Sequence, residues 1–228
     1  MLYKCVLRTE KYFNLISFSS LMRLILLRHG ETDDNVGEIL QGHKGKRLNH
    51  NGITQAEKTA FYLKDQHIDI AFISDLERTI ETSVRILRYH PHTPVVYTSG
   101  IRERSFGISD GRKKEEMNRA ITESGLPFHK YKPPEGESSE ETQQRGLNWY
   151  EQVLKNHHAQ NVLAISHGAF SSALLRGIFE VPFDQRSDLR HPLFDTSYRI
   201  RNCSVTIINH EIGKIPQIEL WNYVEHLQ

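Results

Sequence analysis

The spacing of apolar residues predicts short buried strands that alternate with amphipathic helices from about residue 23 onward. Leu24–Leu27 is an apolar run typical of a buried strand, and it ends abruptly at Arg28-His29-Gly30. Helices are predicted where apolar residues recur every three or four positions, namely at Gly52–Gln66, Ile80–Leu87, Leu147–Asn156 and Gly168–Phe179. Further strands are predicted at Ile68–Ile73, Val95–Thr98, Asn161–Ser166, Ser204–Asn209 and Ile218–Trp221, the last two joined by a hairpin across Gly213.

Two further stretches of the sequence predict local structure, a helix N-cap and a region of loops. Ser74 and Glu77 have the spacing of a capping box, which predicts Ser74 as the N-cap of the helix that follows. The polar stretch from Gly100 to Glu141 is rich in charge, proline and glycine, so it is expected to form loops and a short helix over one face of the sheet.

The alternation of strands and helices predicts an α/β fold, a three-layer α/β/α sandwich with a mostly parallel central sheet. In such sheets, ligands bind beyond the carboxyl ends of the strands. Arg28-His29 and Ser166-His167 both follow predicted strands directly. The sequence therefore places two histidines in one crevice.

The composition of the chain limits the classes of partner that it is expected to bind. Its 228 residues fit one main domain, and 29 basic residues against 28 acidic residues leave a net charge of +1. This balance favours neither nucleic acid nor a membrane surface as a partner, so any positive site must be local. Cys5 and Cys203 form neither a disulfide framework nor a zinc motif, which predicts a reducing, cytoplasmic location. The sequence makes no prediction of oligomeric state.

Residues 1–21 differ from the rest of the chain in their charge. They contain three basic residues, Lys4, Arg8 and Lys11, and only one acidic residue, Glu10. One interpretation is a mitochondrial-type targeting segment. The interpretation we favour is a disordered extension, with a single domain over residues 22–228 that begins at Met22.

Four motifs occur in order between Met22 and about Val181. They are Leu26–Thr32 (LLRHGET) with Asn35, Ser74–Thr79 (SDLERT), Arg102–Arg104 (RER) and Ile165–Gly168 (ISHG). Together they resemble the signature of the histidine phosphatase, or phosphoglycerate mutase-like, superfamily. The resemblance implies a small phosphorylated substrate, a transiently phosphorylated histidine, and no metal or other cofactor. A metal site built on the two histidines is the alternative, but it lacks further nearby ligands.

The chemistry of a phosphomonoester explains why these residue types occur together. A neutral His29 is a good nucleophile for phosphorus once cations neutralise the phosphate oxygens. Arg28 and Arg78 would supply that charge and would also disfavour a charged imidazolium. His167 would stabilise the transferring phosphoryl group, and backbone N–H groups at the helix start after Gly168 offer an anion site.

The remaining site residues follow partly from chemistry and partly from the resemblance. Glu103 is the candidate general acid and base, which would protonate the leaving alkoxide and then deprotonate the attacking water. It lies between two arginines, so a mere ion pair is the alternative. The resemblance, more than physics, implies that Asn35, Gln41 and Gly42 form a loop that contacts the same phosphate or its neighbour.

Within the superfamily, several segments are similar to the TIGAR-type fructose-2,6-bisphosphatases. They are Arg102–Gly107, Pro133–Glu137, Arg145-Gly146 and the tail Asn222–Leu227. This resemblance implies a bisphosphate substrate, whose second phosphate would contact Arg104, Arg112, Lys113 and Lys114, unless that run is merely solvated surface. A phosphoglycerate mutase and a phosphatase of other specificity stay open. A catalytically dead scaffold protein is disfavoured because every catalytic residue type is present.

Overall fold

Six strands form a single sheet in this computed structural model, which describes residues 21–184 and 200–228. The strands are β1 (Leu21–Arg28), β2 (Ile70–Ser74), β3 (Val95–Thr98), β4 (Asn161–Ser166), β5 (Val205–Glu211) and β6 (Gln217–Tyr223). The α-helices of the described part are α1 (Asp33–Val36), α2 (His50–Leu63), α3 (Glu77–Leu87), α4 (Lys114–Ser124), α5 (Ser139–Asn156) and α6 (Gly168–Ile178).

The strand order is β3-β2-β4-β1-β5-β6. The first four strands in that order are parallel, whereas β5 runs antiparallel to β1 and forms an antiparallel pair with β6. The predictions of a mostly parallel sheet and of a C-terminal hairpin are therefore confirmed. In the pairing of β1 with β4, Arg28 lies opposite Ser166, so the two residues that follow, His29 and His167, emerge side by side.

Two apolar layers cover the two faces of the sheet. Leu24 and Leu26 of β1 point into a core formed with α5 and α6, while Ile25 and Leu27 point into a core formed with α2 and α3. Alternation along the strand produces this division, because successive side chains leave opposite faces of a sheet. The three-layer α/β/α architecture is confirmed.

The local prediction at Ser74 is wrong. Strand β2 extends to Ser74, helix α3 begins at Glu77, and Leu76 occupies the N-cap position without a side-chain hydrogen bond. The Ser74 hydroxyl instead lies 2.8 Å from Nε2 of His167, so its hydrogen-bonding capacity serves the site. The polar middle of the chain contains the expected short helix, α4.

The predicted N-terminal extension covers residues 1–21, of which residues 1–20 lie outside the described part of the chain. Leu21 is the first residue of β1, and Met22 is fully buried in the core. Among the described residues, no helix is both long enough and apolar enough to cross a membrane.

Candidate active site

A cavity of about 260 Å³ lies at the carboxyl ends of β1 and β4. Its wall includes seven of the ten predicted site residues, namely Arg28, His29, Asn35, Gln41, Arg78, Glu103 and Gly168. His167 lies next to His29, with 5.2 Å between the ring centroids. The sheet edge thus gathers side chains that are far apart in the sequence.

The position of the His29 ring is set by hydrogen bonds to both nitrogens. Nδ1 lies 2.6 Å from the carbonyl oxygen of Gly30, which can only accept, so Nδ1 carries the proton. Nε2 is therefore unprotonated, and it accepts a hydrogen bond of 3.2 Å from Nε of Arg78. Burial, and then the charges of Arg78 and Arg28, hold the pKa of His29 well below its ordinary value. His29 is therefore neutral at physiological pH, and its Nε2 lone pair is available to act as a nucleophile.

His167 is also neutral, because burial and then the Arg78 charge hold its pKa well below the ordinary value. Its Nε2 contacts the Ser74 hydroxyl, while its buried Nδ1 has no hydrogen-bond partner among the described residues. If the Ser74 hydroxyl donates to Nε2, the proton of His167 must sit on Nδ1. His167 then offers an N–H group to a phosphoryl oxygen without being charged.

Two arginines make the cavity positive. Arg78 is buried, and its Nη2 donates a hydrogen bond of 2.9 Å to the carbonyl oxygen of Gly42. Burial is the largest cause that lowers the pKa of Arg78 to about 10, which still leaves the guanidinium charged at neutral pH. Arg28 lines the same cavity and donates through Nη1 to the carbonyl oxygen of Ile200, at 2.7 Å. Gly42, predicted to contact the phosphate, is not part of the cavity wall, and it contacts Arg78 through its carbonyl oxygen.

The carboxylate of Glu103 lies against the N-terminal end of helix α6. Its Oε1 accepts from the backbone N–H groups of Arg104 at 2.9 Å and Phe170 at 2.8 Å, and its Oε2 accepts from Ala169 at 3.2 Å. The start of α6 was expected to be an open anion site, and this expectation is corrected. The carboxylate of Glu103 already accepts hydrogen bonds from two N–H groups there, those of Ala169 and Phe170. Glu103 also lines the cavity, so a role beyond an ion pair is open to it.

Arg104 has a different role from the predicted one. Its guanidinium is buried and donates to the carbonyl oxygens of Glu137 and Tyr131 and to the hydroxyl of Ser139, each at 2.8 Å. These bonds hold the loop after β3 against the start of α5. We therefore correct Arg104 from a phosphate ligand to a residue that positions this loop.

The three cations proposed for a second phosphate are also dispersed. Arg112 lies 3.9 Å from the carboxylate of Glu116, and Lys113 donates to the carbonyl oxygen of Gly37 at 2.8 Å. Neither of them lines the cavity, whereas Lys114 does. A second phosphate would thus have Lys114 as its one cation from that run.

Sequence reasoning missed the residues that hold the site in shape. Asn202 donates through Nδ2 to the carbonyl oxygen of His29 at 3.1 Å and to Oδ1 of Asn35 at 3.0 Å. The backbone N–H of Thr32 also donates to Oδ1 of Asn35, at 3.1 Å. With its oxygen occupied in this way, the Asn35 amide can offer its N–H₂ to the cavity that it lines. No local motif signals Asn202.

Asp110 joins two loops of the cavity wall. Its Oδ2 accepts from the backbone N–H of His43 at 3.1 Å, and its Oδ1 accepts from that of Phe106 at 3.0 Å. The ring of His43 adds a second link, because its Nε2 lies 2.9 Å from the carbonyl oxygen of Glu103. Asp110 and His43 therefore connect the loop around Gly42 to the loop that carries Glu103.

The amino-acid sequence is similar to those of known phosphatases and mutases. Residues 24–224 match the family model of the histidine phosphatase superfamily (branch 1). A broad-specificity phosphatase of Saccharomyces cerevisiae is 32% identical over 69% of this chain and 70% of its own length. The fructose-2,6-bisphosphatase TIGAR B of Danio rerio is 31% identical over 69% of this chain and 74% of its own. A 2,3-bisphosphoglycerate-dependent phosphoglycerate mutase of Cytophaga hutchinsonii is 31% identical, over 67% and 75% of the two chains.

Solved structures show the same fold. Bacillus stearothermophilus YhfR superposes with a TM-score of 0.77 at 26% identity, covering 91% of this chain and 100% of that one. A phosphoglycerate mutase of Bacillus anthracis superposes with a TM-score of 0.76, covering 92% of this chain and 96% of that one, at 24% identity.

Proposed function

The chain belongs to the histidine phosphatase superfamily, and we propose that it hydrolyses phosphomonoesters through a phosphohistidine intermediate on Nε2 of His29. The observation that carries this proposal is the state of the His29 ring. Its Nδ1–H is held by Gly30, its Nε2 lone pair faces Arg78, and Arg28 lines the same cavity. An incoming phosphate would take over the hydrogen bond from Arg78 and expose the lone pair to phosphorus.

In the first half-reaction, a bond forms between Nε2 of His29 and phosphorus while the ester P–O bond breaks. Arg28, Arg78 and the Nδ1–H of His167 would carry the charge on the phosphoryl oxygens. The departing alkoxide needs a proton, and the Glu103 carboxyl at the cavity wall is the group that would give it.

In the second half-reaction, water attacks the phosphohistidine. The Glu103 carboxylate would take the water's proton as the P–O bond forms and the P–N bond breaks. Inorganic phosphate leaves, neutral His29 is regenerated, and Glu103 is protonated again for the next ester. The cycle balances without an external proton donor.

A rapid-quench experiment with ³²P-labelled ester tests this mechanism. Wild-type protein should retain label in an acid-labile, base-stable bond, and His29→Ala should lose both the label and nearly all turnover. His158→Ala, which removes an exposed histidine, is the matched control and should keep the label. Label retained in His29→Ala would place the phosphoryl group elsewhere and refute the proposal.

Fructose-2,6-bisphosphatase specificity is the second candidate. It is supported by the relative of that name in Danio rerio and by Lys114 at the cavity wall. One charge-assisted contact adds about 1.5–3 kcal/mol, so fructose-2,6-bisphosphate should exceed the corresponding monophosphate by at least about tenfold in kcat/KM. Lys114→Met should remove that preference. Equal hydrolysis of both compounds would reject this specificity while leaving the phosphohistidine mechanism intact.

A phosphoglycerate mutase would use the same phosphohistidine, and a relative of that name is among the similar proteins. The two activities differ in their product. The phosphatase releases inorganic phosphate from a phosphoglycerate, whereas a mutase returns the isomeric phosphoglycerate. Measuring both products in one reaction separates these alternatives.

A further inference from the structure

A second cavity, of about 470 Å³, adjoins the active-site cavity. Apolar atoms dominate its wall, which includes Leu40, Phe106, Met117, Phe128, Ala173 and Phe183. The volume lies within the range of about 300–1,000 Å³ that is usual for small-molecule sites. A cavity of about 150 Å³ is enough for one benzene ring, so this one has room for a much larger apolar group.

The two cavities share part of their walls, including Leu40, Phe106 and Ala169. The shared part lies beside the catalytic carboxylate, because the backbone N–H of Ala169 donates to Oε2 of Glu103. Glu103 must face the leaving oxygen of a bound ester in order to protonate it. The group attached to that oxygen therefore begins at the junction of the two cavities.

Both arginines that line the second cavity, Arg104 and Arg176, donate hydrogen bonds to protein oxygens. Three N–H groups of Arg104 bind protein oxygens, and its guanidinium lies 5.4 Å from the ring centroids of both Phe106 and Phe128. The ring of His129 stacks on Phe183, with 5.3 Å between centroids. The wall thus presents ring faces and aliphatic carbons more than unpaired charge.

We infer that the second cavity holds the leaving group of the substrate, and that this protein favours phosphomonoesters of bulky apolar alcohols, aliphatic or aromatic, over those of small or highly hydroxylated alcohols. This inference rests on the phosphohistidine mechanism proposed above and adds the class of alcohol to it. The reactive phosphate stays between His29 and the two arginines, while the carbon skeleton crosses the shared wall and displaces water from the apolar surface.

A series of unbranched alkyl phosphates from ethyl to hexyl isolates this effect, since their alkoxides are nearly equal as leaving groups. Complete burial gives about fourfold per methylene, so kcat/KM should rise by at least about tenfold across the series. Phe128→Ala should reduce the ratio of hexyl to ethyl phosphate by about threefold, because it removes one ring of the wall. A ratio independent of chain length would overturn the inference.

Phe61→Ala is the matched control for that variant. Phe61 is 61% exposed and Phe128 51% exposed, and each ring lies beside a cation, Lys64 at 3.9 Å and Arg104 at 5.4 Å from the centroid. Phe61 lies on α2, away from both cavities, so its removal should leave the hexyl-to-ethyl ratio unchanged. An equal loss of the ratio in both variants would also contradict the inference.

Binding of alkylphosphonates separates the failure of this inference from failure of the mechanism. These compounds have a P–C bond that the proposed reaction does not cleave, so calorimetry on His29→Ala reports binding alone. Hexylphosphonate should bind at least about tenfold more tightly than ethylphosphonate. If hexylphosphonate binds more tightly but the wild type forms no phosphohistidine, the mechanism is refuted and the second cavity remains assigned to the leaving group. If both compounds bind equally well, the assignment of the second cavity is refuted.

Discussion

Replacing Glu103 by glutamine tests the proton transfer with little change to the fold around it. Both short backbone contacts of Glu103, from Arg104 at 2.9 Å and Phe170 at 2.8 Å, end on Oε1, and an amide oxygen can accept both. Only the 3.2 Å contact of Ala169 with Oε2 would meet an amide N–H₂. We therefore expect a stability loss of about 1–2 kcal/mol, from one mismatched buried contact.

The loss of rate should be much larger than the loss of stability. The amide can neither donate a proton to an alkoxide nor accept one from water, and general acid-base catalysis contributes about 10²–10⁴ in rate. Single-turnover phosphorylation of His29 by an alkyl ester should therefore slow by that factor in Glu103→Gln. Phosphorylation by 4-nitrophenyl phosphate should slow far less, because 4-nitrophenolate leaves without a proton.

The second half-reaction provides an independent measurement. Because the proposed mechanism also assigns water activation to Glu103, the phosphohistidine should accumulate in Glu103→Gln when 4-nitrophenyl phosphate is the substrate. A stopped-flow burst of nitrophenolate, with an amplitude near one per active site, would report this intermediate. Equal slowing for the alkyl and nitrophenyl esters, with no burst, would mean that Glu103 only positions α6, and it would refute the acid-base assignment.

Three further predictions concern charge, protonation and pH. Activity should survive exhaustive chelation, because Arg28 and Arg78 supply the positive charge; rescue of an inactive chelated protein by a divalent ion would contradict this. Ser74→Ala should lower kcat more than it raises KM, since the proton of His167 is no longer directed to Nδ1. In this variant, ¹⁵N NMR of the His167 ring should show a changed tautomer ratio. An unchanged tautomer ratio with full kcat would exclude this role of Ser74. The folded pKa values of His29 and His167 lie well below 6.5, so the unfolded chain binds more protons and Tm should fall as pH drops from 7 towards 5. The double variant with glutamine at both histidines should show a smaller drop, and an unchanged pH dependence would contradict the assigned cause.

The sequence was most informative where function depends on residues that are neighbours in the chain. The strand end at Arg28-His29 and the strand end before His167 could be recognised separately, and the rule for parallel sheets brought them together. Strand β4, Asn161–Ser166, and strand β3, Val95–Thr98, were predicted with their observed bounds. These signals are local, so one sequence was sufficient to detect them.

The errors arose where a tertiary contact competes with a local preference. Ser74 has the spacing of an N-cap, but its hydroxyl is needed by His167, which is 93 positions away in the chain. The N–H groups at the start of α6 suggested a phosphate site, but Glu103 reaches them across 66 and 67 positions. Asn202 gave no signal at all, because its partner Asn35 is 167 positions away. Hydrogen bonds of this kind depend on the assembled sheet and cannot be read from spacing.

The segments that resemble the TIGAR-type enzymes have a structural role that bears on substrate choice. Glu137 accepts two hydrogen bonds from Arg145, at 2.8 Å and 2.9 Å, and its carbonyl oxygen accepts from Arg104. Gly107 has a φ of 56°, and a Cβ there would lie 2.0 Å from the carbonyl oxygen of Pro134, so the two loops can pack only because this residue is glycine. This packing positions the loop that carries Glu103, the proposed proton donor for any alcohol leaving group.

In Arg102–Gly107, Pro133–Glu137 and Arg145, the resemblance thus coincides with contacts that hold the loop carrying Glu103, and these contacts involve no second phosphate. A phosphatase that uses the same loop with a different leaving group would retain the same residues. Specificity must then be set by the side chains that line the path of the leaving group, and here that path is bordered by Phe106, Phe128 and Met117 together with Lys114. The relative rates for hexyl phosphate and fructose-2,6-bisphosphate therefore distinguish the apolar wall from the single lysine as the determinant of substrate choice.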